Sequence, residues 1–233
     1  MPRRYWWVII TYILAQFSVL AFAPILFLFF PLTEIEAIIY WNIFSFIIAL
    51  FITLKLMQRD LTKPLPKSAA NLRGVIVWSI IGFFLAILSQ LIAVNIEVNL
   101  FGIEAGSENT AIIMEISRQF PLFLIIPVII APVLEELIFR KIIFGALHKR
   151  MNFFFAALLS SIIFGIIHQE PEHILIYSSM GFVFAYLYVR TKRIIVPIIV
   201  HTAMNSASVA VQLSLDPEQL ERLQTQMTII GGL

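Results

Sequence analysis

Two glutamates and an arginine lie inside an apolar run at residues 131–144, which reads APVLEELIFRKIIF. Glu136 and Arg140 are four residues apart, so a helix would place them on one face in the order that favours an ion pair. Glu135 lies about 100° around the helix from Glu136, so Arg140 cannot easily serve both carboxylates. We therefore expect Glu135 to have a different partner, either a reacting group or a hydrogen-bond donor on a neighbouring helix.

Two later apolar segments carry polar side chains at helical spacing. The stretch FGIIH places Phe164 and His168 on one helix face, and HTAMN does the same for His201 and Asn205. Taken singly, each histidine is more often a hydrogen-bonded core residue, and Asn205 is more often a link between helices. Their occurrence together with Glu135, at similar depths in three helices, favours a shared site in a hydrated cavity.

These side chains contain the groups needed to hydrolyse an amide without a covalent intermediate. Glu135 would deprotonate a water molecule, and His168 would share or orient that water. His201 and Asn205 would donate hydrogen bonds to the oxyanion that develops on the carbonyl. Other hydrolase chemistries lack their residues, because the sequence has no H-E-x-x-H zinc motif, no serine in a G-x-S motif and no aspartate within an apolar span.

The composition indicates a membrane protein. Of the 233 residues, 60% are hydrophobic and 13% are charged, and the mean hydropathy is +0.94; a soluble domain is about 25% charged. The net charge of +2 gives no indication of nucleic-acid binding. The absence of cysteine excludes disulfides, thiol nucleophiles and cysteine metal sites.

Seven apolar segments each predict a transmembrane helix, although the fifth and sixth are short for a bilayer core of about 30 Å. We therefore predict an all-α, polytopic transmembrane helix bundle of about seven spans that forms one structural domain. Residues 1–119 would supply three helices and an outer loop, residues 120–213 a core of four helices, and residues 214–233 a C-terminal tail. The predicted spans are residues 6–30, 38–57, 74–96, 121–144, 153–167, 174–189 and 194–213.

Positive and negative charges alternate in the loops between the predicted spans. Under the positive-inside rule, this pattern places the N-terminus in the cytoplasm and the C-terminus outside, and it favours an odd number of spans. The chain would then be a multi-pass protein of the cell membrane. Basic residues concentrate at 3–4, 55–73, 149–150 and 190–193, and acidic residues at 34–36, 97–115, 170–172 and 216–221.

The loops carry further polar residues that we interpret as structural. Residues 109–119 would form either a short interfacial helix or a polar outer loop. His148 adjoins basic residues and His173 lies in an outer loop, so both histidines are predicted at the surface. Glu170 and Glu172 are predicted to lie in the same solvated turn.

The three motifs, in this order on successive helices, resemble those of a known family. EELIFR at 135–140, FGIIH at 164–168 and HTAMN at 201–205 are similar to the E-E-x-x-x-R, F-x-x-x-H and H-x-x-x-N motifs of the CAAX-protease and bacteriocin-processing family, also called CPBP or Abi. That family includes the Ras-converting-enzyme type of prenyl-protein endopeptidase. The resemblance covers about residues 120–213 and implies an α-helical intramembrane glutamate endopeptidase.

The resemblance also implies a role for each motif residue. Glu135 would be the water-activating base and His168 its partner. His201 and Asn205 would stabilise the oxyanion. The remaining residues, whose roles would be structural or supporting, are Glu136, Arg140 and Phe164.

We expect no cofactor, although zinc is the alternative. Two histidines and a carboxylate can bind zinc with one position left for water, and the ligands would be Glu135, His168 and His201. The metal-free mechanism is favoured because Asn205 suits an oxyanion better than zinc. The expected partners are membrane lipids and a peptide or protein substrate, with or without an attached lipid; in bacterial members, the family suggests maturation of secreted or signalling peptides.

Two functions from other classes are compatible with the buried charges. A transporter could use them as a proton relay, although the sequence shows no inverted repeat. A catalytically silent membrane scaffold or bacteriocin-immunity factor could control a partner by binding alone. Substitution of Glu135 or His168 distinguishes both from an enzyme.

Overall fold

A computed structural model describes residues 1–215 as helices joined by loops, and no strand occurs within this range. The predicted acidic tail lies outside the described residues from residue 216 onward. The helices are α1 (Arg3–Phe29), α2 (Glu34–Leu61), α3 (Leu72–Phe101), α4 (Glu108–Gln119), α5 (Pro121–Leu147), α6 (Phe153–Ile166), α7 (Ile174–Thr191) and α8 (Ile195–Ser214).

Six of these helices are long and apolar enough to cross a membrane. They are α1, α2, α3, α5, α8 and the helix formed by α7 with the short turn at Pro171–His173 before it. The seventh apolar segment forms α6, whose 14 residues extend about 21 Å at 1.5 Å per residue. The prediction of an all-α polytopic bundle is therefore confirmed, with one helix shorter than the bilayer core.

Local sequence signals set several helix ends. Thr33 and Glu36 form a capping box at the start of α2, where each side chain accepts a hydrogen bond from the other residue's backbone N–H. Gly102 ends α3 in the left-handed conformation, with φ of 68°. Ser107 caps α4 by accepting a hydrogen bond from the Thr110 N–H. Residues 109–119, for which the sequence allowed either a helix or a polar loop, therefore form a helix.

Within residues 1–215, two large hydrophobic clusters and a smaller one fill the bundle. The first joins α1, α2, α5 and α6, and it includes Tyr12 and Phe164. The second joins α3, α7 and α8, and it includes Phe184 and Val200. Because α5 also packs against α8, the polar residues of α5 and α8 lie where the two clusters meet.

Small residues allow the close helix packing that membrane proteins use in place of a hydrophobic driving force. A Cβ at Gly82 of α3 would lie 2.6 Å from a methyl group of Leu187 in α7. A Cβ at Gly181 of α7 would lie 2.8 Å from the hydroxyl of Ser161 in α6. Larger side chains at either glycine would push α7 away from its neighbours.

A salt bridge fastens the start of α1 to the end of α2. The Arg4 guanidinium donates to Asp60 through Nε at 3.0 Å and through Nη2 at 3.1 Å. This bidentate contact adds to the packing between α1 and α2. Further along α1, the Tyr12 hydroxyl reaches Glu135 of α5.

Candidate active site

Helix α5 supplies the acidic residues of the site, and its backbone departs from a regular α-helix. It begins with a tight turn at Pro121–Leu124 and contains π-helical segments at Ile126–Ile130 and Glu136–Phe144. In the first of these, the Ala131 N–H donates to the Ile126 carbonyl, one residue further back than in an α-helix. π-Helical turns occur frequently at functional sites.

Glu136 links two other ionisable groups in the interior. Its Oε2 lies 3.1 Å from Arg140 Nε, and its Oε1 accepts a hydrogen bond from His201 Nδ1 at 3.0 Å. Glu136 and Arg140 are both 0% exposed. The predicted ion pair between Glu136 and Arg140 is confirmed, and it also holds the imidazole of α8.

Aromatic rings surround the Arg140 guanidinium. The guanidinium carbon, Cζ, lies 4.5 Å from the centre of the Phe164 ring and 5.3 Å from the centre of the Phe184 ring. Among the described residues, no hydrogen-bond acceptor is aligned with its nitrogens. The Glu136 charge and the ring faces therefore compensate the buried cation. Phe164 thus has a structural role, because its ring packs against Arg140.

Glu135 has partners from two other helices. Its Oε1 accepts a hydrogen bond from the Tyr12 hydroxyl at 3.2 Å, and its Oε2 lies 3.7 Å from His201 Nε2. Glu135 is 8% exposed. As expected, Arg140 pairs with Glu136 and not with Glu135, although both glutamates contact His201. The Glu135 carboxylate keeps limited access to solvent.

His201 lies between the two glutamates. Its ring stacks on Phe184 with centroids 5.0 Å apart, and the residue is 3% exposed. Because Glu136 accepts the Nδ1 proton, Nε2 faces Glu135 with a lone pair when the ring is neutral. His201 can donate from Nε2 only as an imidazolium.

His168 lies just beyond the end of α6. Its Nδ1 donates to the Phe164 carbonyl at 2.7 Å, and its ring stacks on Tyr177 with centroids 4.0 Å apart. Burial lowers the pKa of His168, and the negative charge of Glu135 partly opposes this effect. A neutral His168 therefore offers Nε2 as an acceptor.

Asn205 lies one turn beyond His201 on α8. Its Nδ2 donates to the Pro127 carbonyl of α5 at 2.7 Å. The structure thus links Glu135, Glu136, Arg140 and His201 by direct contacts. His168 is held by the carbonyl of Phe164, whose ring lies 5.9 Å from that of His201, and Asn205 is held by the Pro127 carbonyl of α5.

Tyr12 was missed by the analysis of sequence motifs. It belongs to α1, more than 120 residues before Glu135, and its ring packs edge-on against Phe46 at 6.3 Å. Its one signal in the sequence was a phenolic hydroxyl inside an apolar span. Buried tyrosine hydroxyls usually find a hydrogen-bond partner.

The surface prediction was wrong for His173 and Glu170, which are 8% and 6% exposed. His173 Nδ1 lies 2.9 Å from Glu97 Oε2. Glu97 also accepts from the N–H groups of Leu175 and Ile176 in the first turn of α7. His173 is therefore buried against Glu97, a carboxylate of α3 that caps the start of α7.

Glu170 caps a second helix in the same way. It accepts from the Ser107 hydroxyl and from the Asn109 N–H at 2.9 Å, at the start of α4. It also accepts a hydrogen bond from the hydroxyl of Tyr177, the residue that stacks on His168. His148 and Glu172 are exposed, as predicted.

Comparison with known proteins places the chain in a family. Residues 117–207 match the family model described as "Type II CAAX prenyl endopeptidase Rce1-like". The chain is 46% identical to "Putative membrane peptidase YdiL" of Bacillus subtilis (strain 168), across 100% of this chain and 99% of that protein. The chain belongs to the Rce1-like CAAX prenyl endopeptidase family. It is also 34% identical to "Membrane-embedded CAAX protease MroQ" of Staphylococcus aureus (strain USA300), across 95% of this chain and 94% of that protein.

Membership of the Rce1-like family indicates a membrane peptidase. The segment matched by the Rce1-like family model contains the three sequence motifs, whereas Tyr12 lies before it. No solved structure matches the chain.

The zinc alternative requires three side chains to converge on one point. Among residues 1–215, no group of three or more histidine or acidic side chains is arranged to hold a metal ion. His201 Nδ1 is bonded to Glu136, and His168 Nδ1 is bonded to the Phe164 carbonyl. The arrangement of Glu135, His168 and His201 therefore does not fit a zinc site.

Proposed function

We propose that the chain is an intramembrane endopeptidase in which Glu135 activates water to hydrolyse a peptide bond. The observation that carries the proposal is the position of the Glu135 carboxylate. It is buried, it contacts Tyr12 and His201, and it is not paired with the nearby Arg140. A carboxylate held in this way can act as a general base.

Glu135 acts first as a base and then as an acid. It takes a proton from water as the water oxygen bonds to the substrate carbonyl carbon, and the carbonyl oxygen becomes an oxyanion. Glu135 then gives that proton to the amide nitrogen as the carbon–nitrogen bond breaks. The products are a carboxylic acid and an amine, and the neutral Nε2 of His168 helps to orient the water.

Two side chains are proposed to stabilise the oxyanion. His201 lies between Glu135 and Glu136, and its imidazolium form has an Nε2–H to donate to the oxyanion. Asn205 supplies a second donor.

The substrate is proposed to be a membrane-associated or secreted bacterial peptide. The site lies among apolar helices, so the scissile bond must enter the bilayer region. The family and its relatives carry peptidase names, and an attached lipid would hold a substrate at this depth. The alternating loop charges support a cytoplasmic N-terminus.

Comparative peptidomics tests the proposal in cells. Strains would produce the wild-type protein, Glu135→Gln, or the control Glu115→Gln, which changes an exposed glutamate on α4. We expect one or more cleaved peptides that are present with the wild type and Glu115→Gln and absent with Glu135→Gln. Identical peptide profiles, with a cellular phenotype preserved in Glu135→Gln, would instead indicate a catalytically silent scaffold.

A further inference from the structure

Two prolines five residues apart leave a backbone carbonyl of α5 without a partner in its own helix. The Pro127 carbonyl would accept from residue 131 in an α-helix and from residue 132 in a π-helical turn. The Ala131 N–H already donates to the Ile126 carbonyl, and Pro132 has no N–H. Both normal partners of the Pro127 carbonyl are therefore removed.

The side chain of Asn205 donates a hydrogen bond to this carbonyl. Its Nδ2 lies 2.7 Å from the Pro127 oxygen, which fixes the direction of the side-chain amide. A primary amide has two N–H groups, so the second N–H of Asn205 points in a defined direction. The contact is partly buried, and a carbonyl shielded from water is costly to leave unpaired, so the hydrogen bond stabilises this orientation.

The contact lies about two turns of α5 before Glu135. The Cα atoms of Pro127 and Glu135 are eight residues apart, or about 12 Å along the axis. Helical carbonyls point towards the C-terminus, whereas side chains lean towards the N-terminus, so the Pro127 oxygen and the Glu135 carboxylate approach each other. On α8, Asn205 is one turn from His201, which already contacts Glu135.

We propose that Pro132 is a positioning residue, which acts by freeing the Pro127 carbonyl to hold Asn205 as an oxyanion donor. The inference rests on the proposed function. It adds that the backbone of α5 sets the orientation of Asn205. The π-helical turn and the missing N–H act together, because either an α-helical turn or an amino acid with an N–H at residue 132 would give Pro127 a partner.

The variant Pro132→Ala separates this role from a structural one. Alanine restores an N–H and favours helix, so the helix itself should not lose stability. The matched control is Pro121→Ala, because Pro121 lies in the first turn of α5, where a missing N–H removes no hydrogen bond. Thermal unfolding of both variants checks that the bundle is intact.

Side-chain N–H signals test the geometry without any substrate. The full-length protein, labelled with ¹⁵N-asparagine and placed in lipid nanodiscs, would be compared with Asn205→Ala to assign the Asn205 amide. We expect slow hydrogen exchange at one N–H of Asn205 in the wild type and Pro121→Ala, and fast exchange in Pro132→Ala. Unchanged exchange in Pro132→Ala would overturn the inference, whatever the activity.

A double-mutant cycle tests the effect on the reaction. The probe is a fluorogenic peptide that carries the cleavage junction mapped by peptidomics. We expect kcat to fall about 10²- to 10³-fold in Asn205→Ala and roughly 10- to 100-fold in Pro132→Ala, with little change in KM. If Pro132 acts through Asn205, the double variant should be no slower than Asn205→Ala alone.

The outcomes distinguish the inference from the proposed function. Multiplied losses in the double variant would show that Pro132 acts elsewhere, for example by displacing Glu135, and would overturn the inference alone. Wild-type kcat in Asn205→Ala would overturn the oxyanion role and the inference with it. Loss of all cleavage in Glu135→Gln, with either result, would leave the base assignment intact.

Discussion

The hydroxyl of Tyr12 provides a test of how α1 contributes to the site. Tyr12→Phe removes the donor to Glu135 but keeps the ring, whose edge contact with Phe46 at 6.3 Å does not involve the hydroxyl. We expect a slower reaction with unchanged substrate binding, because the carboxylate loses the group that fixes Oε1. The fold should be retained.

The size of the effect follows from the geometry. Hydrogen bonds to charged groups contribute about 1.5–3 kcal/mol. The Tyr12 hydroxyl lies 3.2 Å from Glu135 Oε1, which is beyond the usual range of about 2.5–3.0 Å for such bonds. The lower value applies, and about 1.5 kcal/mol corresponds to roughly a tenfold loss of kcat.

The assay compares Tyr12→Phe with Tyr5→Phe in purified protein reconstituted in liposomes. Tyr5 lies on the same helix, seven residues earlier, beside Arg4 rather than Glu135. Cleavage of the fluorogenic peptide gives kcat and KM, and thermal unfolding gives stability. Equal kcat for wild type and Tyr12→Phe would refute the reasoning, as would a loss of activity that merely follows a loss of stability.

Further predictions concern Glu136, Glu170 and metal dependence. Glu136→Gln leaves Arg140 buried without its charge partner, so we expect a loss of about 3–5 kcal/mol in unfolding free energy; denaturant titration in mixed micelles measures it, and undiminished stability would contradict the pairing. For Glu170, burial raises the pKa, but hydrogen bonds from Tyr177, the Asn109 N–H and Ser107 outweigh it and lower the pKa below its usual 4.5. Ionised Glu170 therefore stabilises the fold above its unfolded pKa, and this contribution disappears as pH falls through the folded pKa; thermal unfolding across acidic pH should show a smaller acid-induced loss in Glu170→Gln. Zinc chelators should leave cleavage unchanged, whereas chelator-induced loss that stoichiometric zinc reverses would contradict the metal-free mechanism.

The contacts within one helix were predictable from the sequence. Glu136 and Arg140 are four residues apart, and helix geometry alone required their pairing and the separate position of Glu135. The apolar segments predicted the bundle for a similar reason, because each transmembrane helix can be recognised from the composition of its own segment. The π-helical turns of α5 did not disturb this pairing.

The contacts between distant segments were not predictable in the same way. Tyr12 reaches Glu135 only because α1 packs beside α5, and a lone tyrosine in an apolar span carries no sign of its partner. Glu170 and His173 looked solvated because their partners belong to distant segments: backbone N–H and hydroxyl groups at the start of α4, and Glu97 of α3. Asn205 was expected to donate to the oxyanion. No feature of the sequence indicated that one of its N–H groups would donate to the Pro127 carbonyl of α5.

The central claim is that Glu135 is the base that activates water. The most direct measurement is kcat for the fluorogenic peptide with the purified wild type, Glu135→Gln and the exposed control Glu115→Gln in liposomes. We predict that kcat falls about 10²- to 10⁴-fold in Glu135→Gln, with an unfolding temperature no lower than that of the wild type and normal activity in the control. Wild-type kcat in a folded Glu135→Gln protein would contradict the account.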